Sequence, residues 1–466
     1  MTVSFTAQEV CTATGGSLVG GSAETTFTSV SIDSRNVTEG ALFVPLPGSR
    51  TDGHAYLPEA VRQGASGFFF SPTMVSAPPD GAVGIAVADP LQALQDLAAW
   101  HRNQLHATVI GIAGSNGKTT TKELLAQVCA PWKKTFATQG NLNNHIGVPL
   151  TLLRTDRDVE CLVLELGTSG AGELATLCRI ARPRIGVITS IAEEHTETLN
   201  DLAGVIAAET EMIAALPPEG VAIVNGDHED LLAAVRRLAR CRVVTFGERD
   251  ANPYRATNIQ VARTGTSFFV STPHGERQAR VKLLGSHFAL ASVAAIAVAQ
   301  ECGMDLHAVC AALANAHGVA RRMAVIDVPD RQVSILDDCY NANPASMQQA
   351  ILTVQQVRMP GERVVFVLGD MLELGALSPQ RHREIGEMVA ALLPRPDMVV
   401  TVGHDARLIA AEAERAGLIV QAFAQADAAA TFVCETVVGH TGPQLVLVKG
   451  SRGIRLEEVT RRLVER

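Results

Sequence analysis

The sequence predicts an α/β protein of three domains, and three observations carry that expectation. The chain has 466 residues, and at roughly 100–200 residues per domain it holds more than one core. Short, mostly apolar runs at 109–113, 161–166, 185–190, 221–225 and 243–246, several ending on a polar residue, alternate with helical patterns. Strands apolar on both faces belong to a mostly parallel sheet with helices on each side. A second series of the same kind, at 334–336, 364–368, 398–402 and 445–448, follows a boundary near Val319. With a first boundary near residue 88, the domains are 1–88, 89–319 and 320–466.

The elements can be justified in chain order. Between residues 28 and 70 short strands are broken by Asp33-Ser34-Arg35, Thr38-Glu39-Gly40, Pro47-Gly48 and Asp52-Gly53-His54, and a helical stretch follows over 56–64. This is the pattern of a small, turn-rich α/β domain. Residues 90–106 set Leu91, Leu94, Leu97, Ala98 and Leu105 at helical spacing and lead into the strand at 109–113. That strand breaks into Gly114-Ser115-Asn116-Gly117-Lys118-Thr119-Thr120, and a helical pattern resumes over 121–130. A glycine loop between strand and helix is a phosphate cradle. Glycines let backbone N–H groups approach phosphate oxygens, the helix start adds partial positive charge, Lys118 neutralises terminal phosphates and Thr119 offers a hydroxyl to Mg2+. The loop therefore reads as a P-loop built for ATP, in a central ATPase domain. The usual G-x-x-x-x-G-K-[ST] spacing asks for glycine at 112, where this chain has Ile112.

Ligands of open α/β sheets sit beyond the carboxyl ends of strands, so Glu165-Leu166-Gly167, Thr189-Ser190 and Asn225-Gly226-Asp227 are expected around the cradle. In the third, Rossmann-like domain the strand ends carry Asp337-Asp338, Gly369-Asp370, Gly403-His404 and Lys449-Gly450-Ser451-Arg452, a polar rim.

Composition narrows the function classes. Charged residues make up 19% and apolar ones 47%, a globular balance. A net charge of -9 and a pI near 5.8 argue against a nucleic-acid binder, since no basic stripe exists to release phosphate counterions. Nine cysteines without a C-x-x-C pair, and an N-terminus without a basic, then apolar, leader, suit reduced thiols and a cytoplasmic location. The longest nearly apolar run, 288–299, is shorter than the ~20 residues that span a bilayer.

Bringing a carboxylate to a triphosphate sets like charges together at about 4 kcal/mol per unit pair at ~4 Å, with an effective dielectric near 20. Cations must be supplied, and Mg2+ needs hard oxygen ligands or histidine close to Thr119. Glu165, ending an otherwise apolar strand, is one candidate. His195 is another, although a plain loop histidine reads equally well there. Asn141, Asn143 and Asn144 either build Asx-turns or present amides to a polar substrate, and Asp337 to Pro344 carries the same pair of readings.

Taken together these stretches resemble the Mur ligase family, ATP-dependent amide-bond-forming enzymes of peptidoglycan synthesis, over almost the whole chain. The carriers are the Asp33 and Asp52 triplets, residues 114–120, 141–149 and 165–167, Asp337 to Pro344 with Ser346-Met347, Gly369-Asp370-Met371-Leu372-Glu373-Leu374-Gly375, and Lys449 to Arg452. The tyrosine-asparagine and Asp-Met-Leu-Glu-Leu-Gly blocks are similar to those of members that join D-alanyl-D-alanine to UDP-N-acetylmuramoyl-tripeptide. The resemblance implies that the N-terminal domain binds the UDP-sugar peptide, the central one ATP, and the C-terminal one closes over the nucleotide and brings the dipeptide. It implies an acyl phosphate route, with Lys118, Glu165 and His195 at the chemistry. By the same resemblance Thr119 and Glu165 hold one Mg2+ and His195 a second. Gly114, Ser115, Asn116, Gly117, Lys118, Thr119, Thr120, Arg322, Asp338, Asn341 and Asn343 would hold the nucleotide. Ser34, Arg35, Asp52, His54, Asn141, Asn143, Asn144, Lys449, Ser451 and Arg452 would hold the other substrates, and the enzyme is expected to be a monomer.

Three positions depart from the family pattern. Glu209 stands where the family has a lysine serving the second Mg2+, and is either a metal-binding carboxylate or a solvated helix residue. Phe288 and Ala291 stand where the family has asparagines near the nucleotide base. The competing expectations are a nucleotide-binding relative that no longer catalyses, acting as scaffold or regulator, and a ligase of the same type for another amino acid.

Overall fold

The computed structural model describes residues 3–48 and 51–465. Its frame is a series of α/β layers. The N-terminal five-stranded sheet runs Ser17–Val19, Val83–Ala86, Gly67–Phe70, Ala41–Phe43, Ser29–Ser31, parallel apart from its first pair. Where the sequence suggested a helix over 56–64, a 3-10 turn at Gly53–Tyr56 comes first and the helix is Leu57–Arg62. Helix Pro90–Arg102 starts on an Asp89 cap with proline in its first turn, and ends sooner than the pattern to 106 implied.

The central sheet has nine strands in the order Gly275–Val281, Gly265–Thr272, Tyr254–Ala262, Arg242–Gly247, Val221–Asn225, Ile185–Ile188, Thr108–Ala113, Cys161–Glu165, Thr135–Ala137. The five apolar runs foreseen from the sequence are parallel neighbours in its middle. Their register sets Ile112 beside Glu165 on one side and Val187 on the other. Thr108–Ala113 therefore ends in the interior of the sheet, with a strand end on each flank to supply side chains. The apolar run at 288–299 lies within the buried helix Ser286–Glu301, which packs against the sheet and the helix after the cradle. Among the described residues no helix is long and apolar enough to cross a membrane.

The antiparallel arm Tyr254–Ala262, Gly265–Thr272, Gly275–Val281 was not foreseen. Its residues alternate between buried and exposed instead of running apolar, and its turns rest on Gly265 and Gly275, both in the left-handed region. The C-terminal sheet runs Ala324–Val328, Val333–Asp338, Gln444–Lys449, Arg363–Gly369, Met398–Val402, Val420–Phe423, parallel except for its first, antiparallel edge strand. The carboxyl ends Asp338 and Lys449 are paired in register and turn toward the central cradle.

Candidate active site

The cradle begins two residues later than its sequence spacing suggested. Ile112 is fully buried inside the strand, and Gly114, at φ 116°, makes the turn. A Cβ on Gly114 would lie 2.5 Å from the Thr189 hydroxyl, so glycine is required for both conformation and space. Gly117, at φ 88°, precedes helix Lys118–Cys129, which therefore starts on the lysine and not at 121. Its internal bonding opens with Thr121 N–H to Gly117 O at 2.8 Å. The amides of Lys118, Thr119 and Thr120 have no partner in the helix, the arrangement that binds phosphate. Ser115 and Asn116 are pinned from the neighbouring strand end: Ser115 Oγ bonds Ala192 O at 3.1 Å and Asn116 N–H donates to Ser190 Oγ at 3.0 Å.

Lys118 folds back, donating to Gly114 O and, at 3.3 Å, to Ser115 O, with Glu194 Oε1 3.7 Å away. Burial works against its charge, but the carboxylates of Glu194, Glu209 and Glu165 outweigh that and hold its pKa above the ordinary lysine value. Burial pushes Glu194 up, although Lys118 and His195 oppose the shift.

Glu165 is buried at the end of its strand. Asn143 Nδ2 donates to its Oε1 at 2.9 Å, while its Oε2 is buried and has no hydrogen-bond partner. An orphaned, buried carboxylate oxygen is costly unless a cation meets it, so this donor set fits a hard divalent metal. Thr119 Oγ1 is close by on the same cleft and accepts from Arg322 Nη2 at 3.3 Å. His195 lines the cleft too, in the left-handed region at φ 51°. Glu209 is not a solvated helix residue. It is 1% exposed, off the cleft wall, and its Oε2 accepts from Gly114 N–H at 2.7 Å, so it braces the cradle from beneath.

The C-terminal rim completes the opposite wall of a cleft of ≈ 700 Å³. Arg322 stacks on Tyr340, its guanidinium carbon 4.2 Å from the ring centroid, and Arg452 lies 5.7 Å from the same ring. Lys449 Nζ bonds Asp338 Oδ2 at 2.7 Å and Asn341 O at 3.1 Å. Asn343 caps helix Pro344–Val357 through Ser346 N–H at 2.9 Å, and its Nδ2 donates to Asn116 Oδ1 of the cradle at 3.0 Å. Ser451 is buried, bonding Ala342 O at 3.2 Å and Leu372 N–H at 3.0 Å.

Of the candidates named from sequence, residues 115–120, Asn141, Asn143, Asn144, Glu165, His195, Arg322, Asp338, Asn341, Asn343 and Lys449 share this cleft. Asn144 spends its carbonyl on the amides of Ile146 and Gly147, an Asx-turn. Ser34, Arg35, Asp52 and His54 lie apart from it in the N-terminal domain. Ser34 bonds Glu59 at 2.8 Å, Arg35 forms an exposed fork with Asp33, and Asp52 caps the His54 turn. Sequence reasoning passed over Glu194, Tyr340, Glu373 and His287, all on the cleft wall. The acid pair Glu193-Glu194 directly before His195, and the motif blocks that contain Tyr340 and Glu373, were the local signals.

Three Mur ligase models match the chain: the Mur ligase family catalytic domain at residues 26–102, the Mur ligase middle domain at 112–299 and the Mur ligase glutamate ligase domain at 321–452. The chain is 37% identical to the UDP-N-acetylmuramoyl-tripeptide--D-alanyl-D-alanine ligase of Escherichia coli (strain K12), covering 99% of both. The chain belongs to the Mur ligase family. Its structure matches that of MurF from Acinetobacter baumannii with a TM-score of 0.89, at 30% identity and 99% coverage of both chains. MurF ligase from Thermotoga maritima, solved in complex with ADP, matches with a TM-score of 0.81 at 26% identity, covering 94% of this chain and 97% of that one. As a Mur ligase the protein is an ATP-dependent amide-bond-forming enzyme.

Proposed function

We propose that this Mur ligase joins D-alanyl-D-alanine to UDP-N-acetylmuramoyl-tripeptide in the cytoplasm, as a monomer, yielding the pentapeptide precursor of peptidoglycan. The observation that carries the reading is the single cleft onto which the cradle, the orphaned Glu165 oxygen and the C-terminal rim all open. The likeness to UDP-N-acetylmuramoyl-tripeptide--D-alanyl-D-alanine ligases, over 94% or more of each chain, supports the same substrates.

The tripeptide carboxylate attacks the γ-phosphorus of ATP, the bond to the β,γ-bridging oxygen breaks, and ADP leaves with that oxygen. The dipeptide amine then attacks the acyl phosphate carbonyl, loses a proton to solvent or a nearby base, and expels inorganic phosphate. Residues 114–120 hold the β- and γ-phosphates, and Lys118 leaves its backbone carbonyls to neutralise them. Thr119 and Glu165 would hold Mg2+, with His195 at a second position; the metal supplies Lewis-acid screening of phosphate charge. Asn143 keeps Glu165 in one orientation. Arg322, Asp338, Asn341 and Asn343 close on the nucleotide from the C-terminal side. Lys449, Ser451 and Arg452 shape the dipeptide end of that wall, and Ser34, Arg35, Asp52 and His54 the UDP-sugar end of the chain. The roles follow domains at 1–88, 89–319 and 320–466. A scaffold without catalysis is disfavoured, because Lys118, Thr119 and Glu165 stand together on one cleft.

Phosphate release from ATP tests this reading. It should require both the UDP-tripeptide and the dipeptide. Release with neither acceptor marks a simple ATPase, release with a different amino acid marks another ligase, and no release returns the scaffold.

A further inference from the structure

The segment that carries His195 is gripped by the C-terminal domain. Arg381, on helix Ser378–Ala391, makes a two-pronged ion pair with Glu193, Nε to Oε2 at 2.6 Å and Nη2 to Oε1 at 2.7 Å. Each side chain is 25% exposed, and Glu384 steadies the guanidinium from its own helix at 2.6 Å. Two residues on, His195 Nδ1 lies 2.7 Å from Glu373 Oε2. Thr196 Oγ1 then donates to Leu374 O at 3.0 Å. Three contacts in four residues thus bind one central-domain loop to one C-terminal loop and helix. That loop also carries Glu194, the carboxylate closest to Lys118, and His195 sits at φ 51° in the left-handed region, which non-glycine residues occupy where their surroundings hold them. The planar fork of Arg381 fixes direction as well as distance, which a lone lysine could not do.

We propose that Arg381 and Glu193 are positioning residues for the ligase reaction: their fork sets the 193–196 loop so that Glu194 and His195 stand on the cleft wall only when the C-terminal domain is docked. This rests on the reading of the cleft as the nucleotide and metal site. Neither residue lines the cleft, so they act through their neighbours.

Charge exchange tests it. Glu193→Arg and Arg381→Glu should each lower kcat by about tenfold or more, with ADP binding weakened alongside, because Arg322, Asp338, Asn341 and Asn343 reach the nucleotide from the domain that the fork docks. The double variant E193R/R381E, which rebuilds the fork in reverse, should recover most of kcat. Small-angle X-ray scattering without nucleotide or metal should show each single variant wider than the parent and the double variant returned to its size. Single variants as active as the parent, or a double variant no better than either single one, overturn the proposal. If the parent itself releases no acceptor-dependent phosphate, the ligase reading fails. The scattering comparison then still decides the fork, with unchanged dimensions in the single variants sinking it.

Discussion

Glu209 lies beneath the cradle with a carboxylate oxygen on the Gly114 amide, and burial raises its pKa from 4.5 to about 7, with Glu194 adding to the rise and Lys118 and the amide opposing it. Between those values the folded chain binds a proton that the unfolded chain releases. Its contribution to stability therefore falls as pH rises through that window, the reverse of an ordinary ion-paired acid. Glu209→Gln keeps an acceptor for Gly114 and removes the titration. The difference in denaturation midpoint between variant and parent should shift in the variant's favour from about pH 5 to about pH 8; a constant difference would deny the shift. Lys118 belongs to the same cluster, so Lys118→Ala should abolish turnover and also lower stability, since Glu194 and Glu209 lose their nearest cation. An unchanged melting temperature would leave Lys118 a phosphate contact alone. Lys118, Thr119 and Glu165 were legible in the sequence because each is announced by local pattern, a glycine spacing or an acid closing an apolar strand. The burial of Glu209 was not, because an amphipathic reading of its helix does not say which loop lies above it.

Helix Pro344–Val357 shows what one capping residue can join. Asn343 satisfies the helix start through its carbonyl and reaches the cradle through its amide, so one side chain serves both local stability and domain contact. Asn343→Ala should cost about 1 kcal/mol in chemical denaturation. Asn343→Asp should keep the cap, and thus the stability, while losing the donor to Asn116. Equal losses in both variants would place the value of Asn343 in the domain contact and not in the cap. The parallel strands were readable as elements because burial on both faces leaves an unbroken apolar run. The antiparallel arm escaped because one of its faces stays wet, and the short edge strands Ala324–Val328 and Val420–Phe423 because none of their residues is fully buried. Contacts such as Glu193 with Arg381, 188 positions apart, leave no local trace at all.

At the scale of the molecule, the arm and the C-terminal domain meet in a second ion pair. Arg263, in the turn between the first two arm strands, is paired with Glu362, which is 3% exposed side chain and also accepts from Met359 N–H. Arg263 further donates to Val357 O at 3.1 Å. Arg263→Ala would leave a buried carboxylate without its cation, and a loss of about 3 kcal/mol is expected in denaturant unfolding. A loss below about 1 kcal/mol would mark the pair as a solvated surface contact. Glu362 immediately precedes strand Arg363–Gly369, and a strand of that length is about 20 Å long. The arm therefore moors the C-terminal domain at its blunt end, a strand's length from the mouth where substrates gather. A door hung in this way can swing at its free edge while the hinge side stays fast.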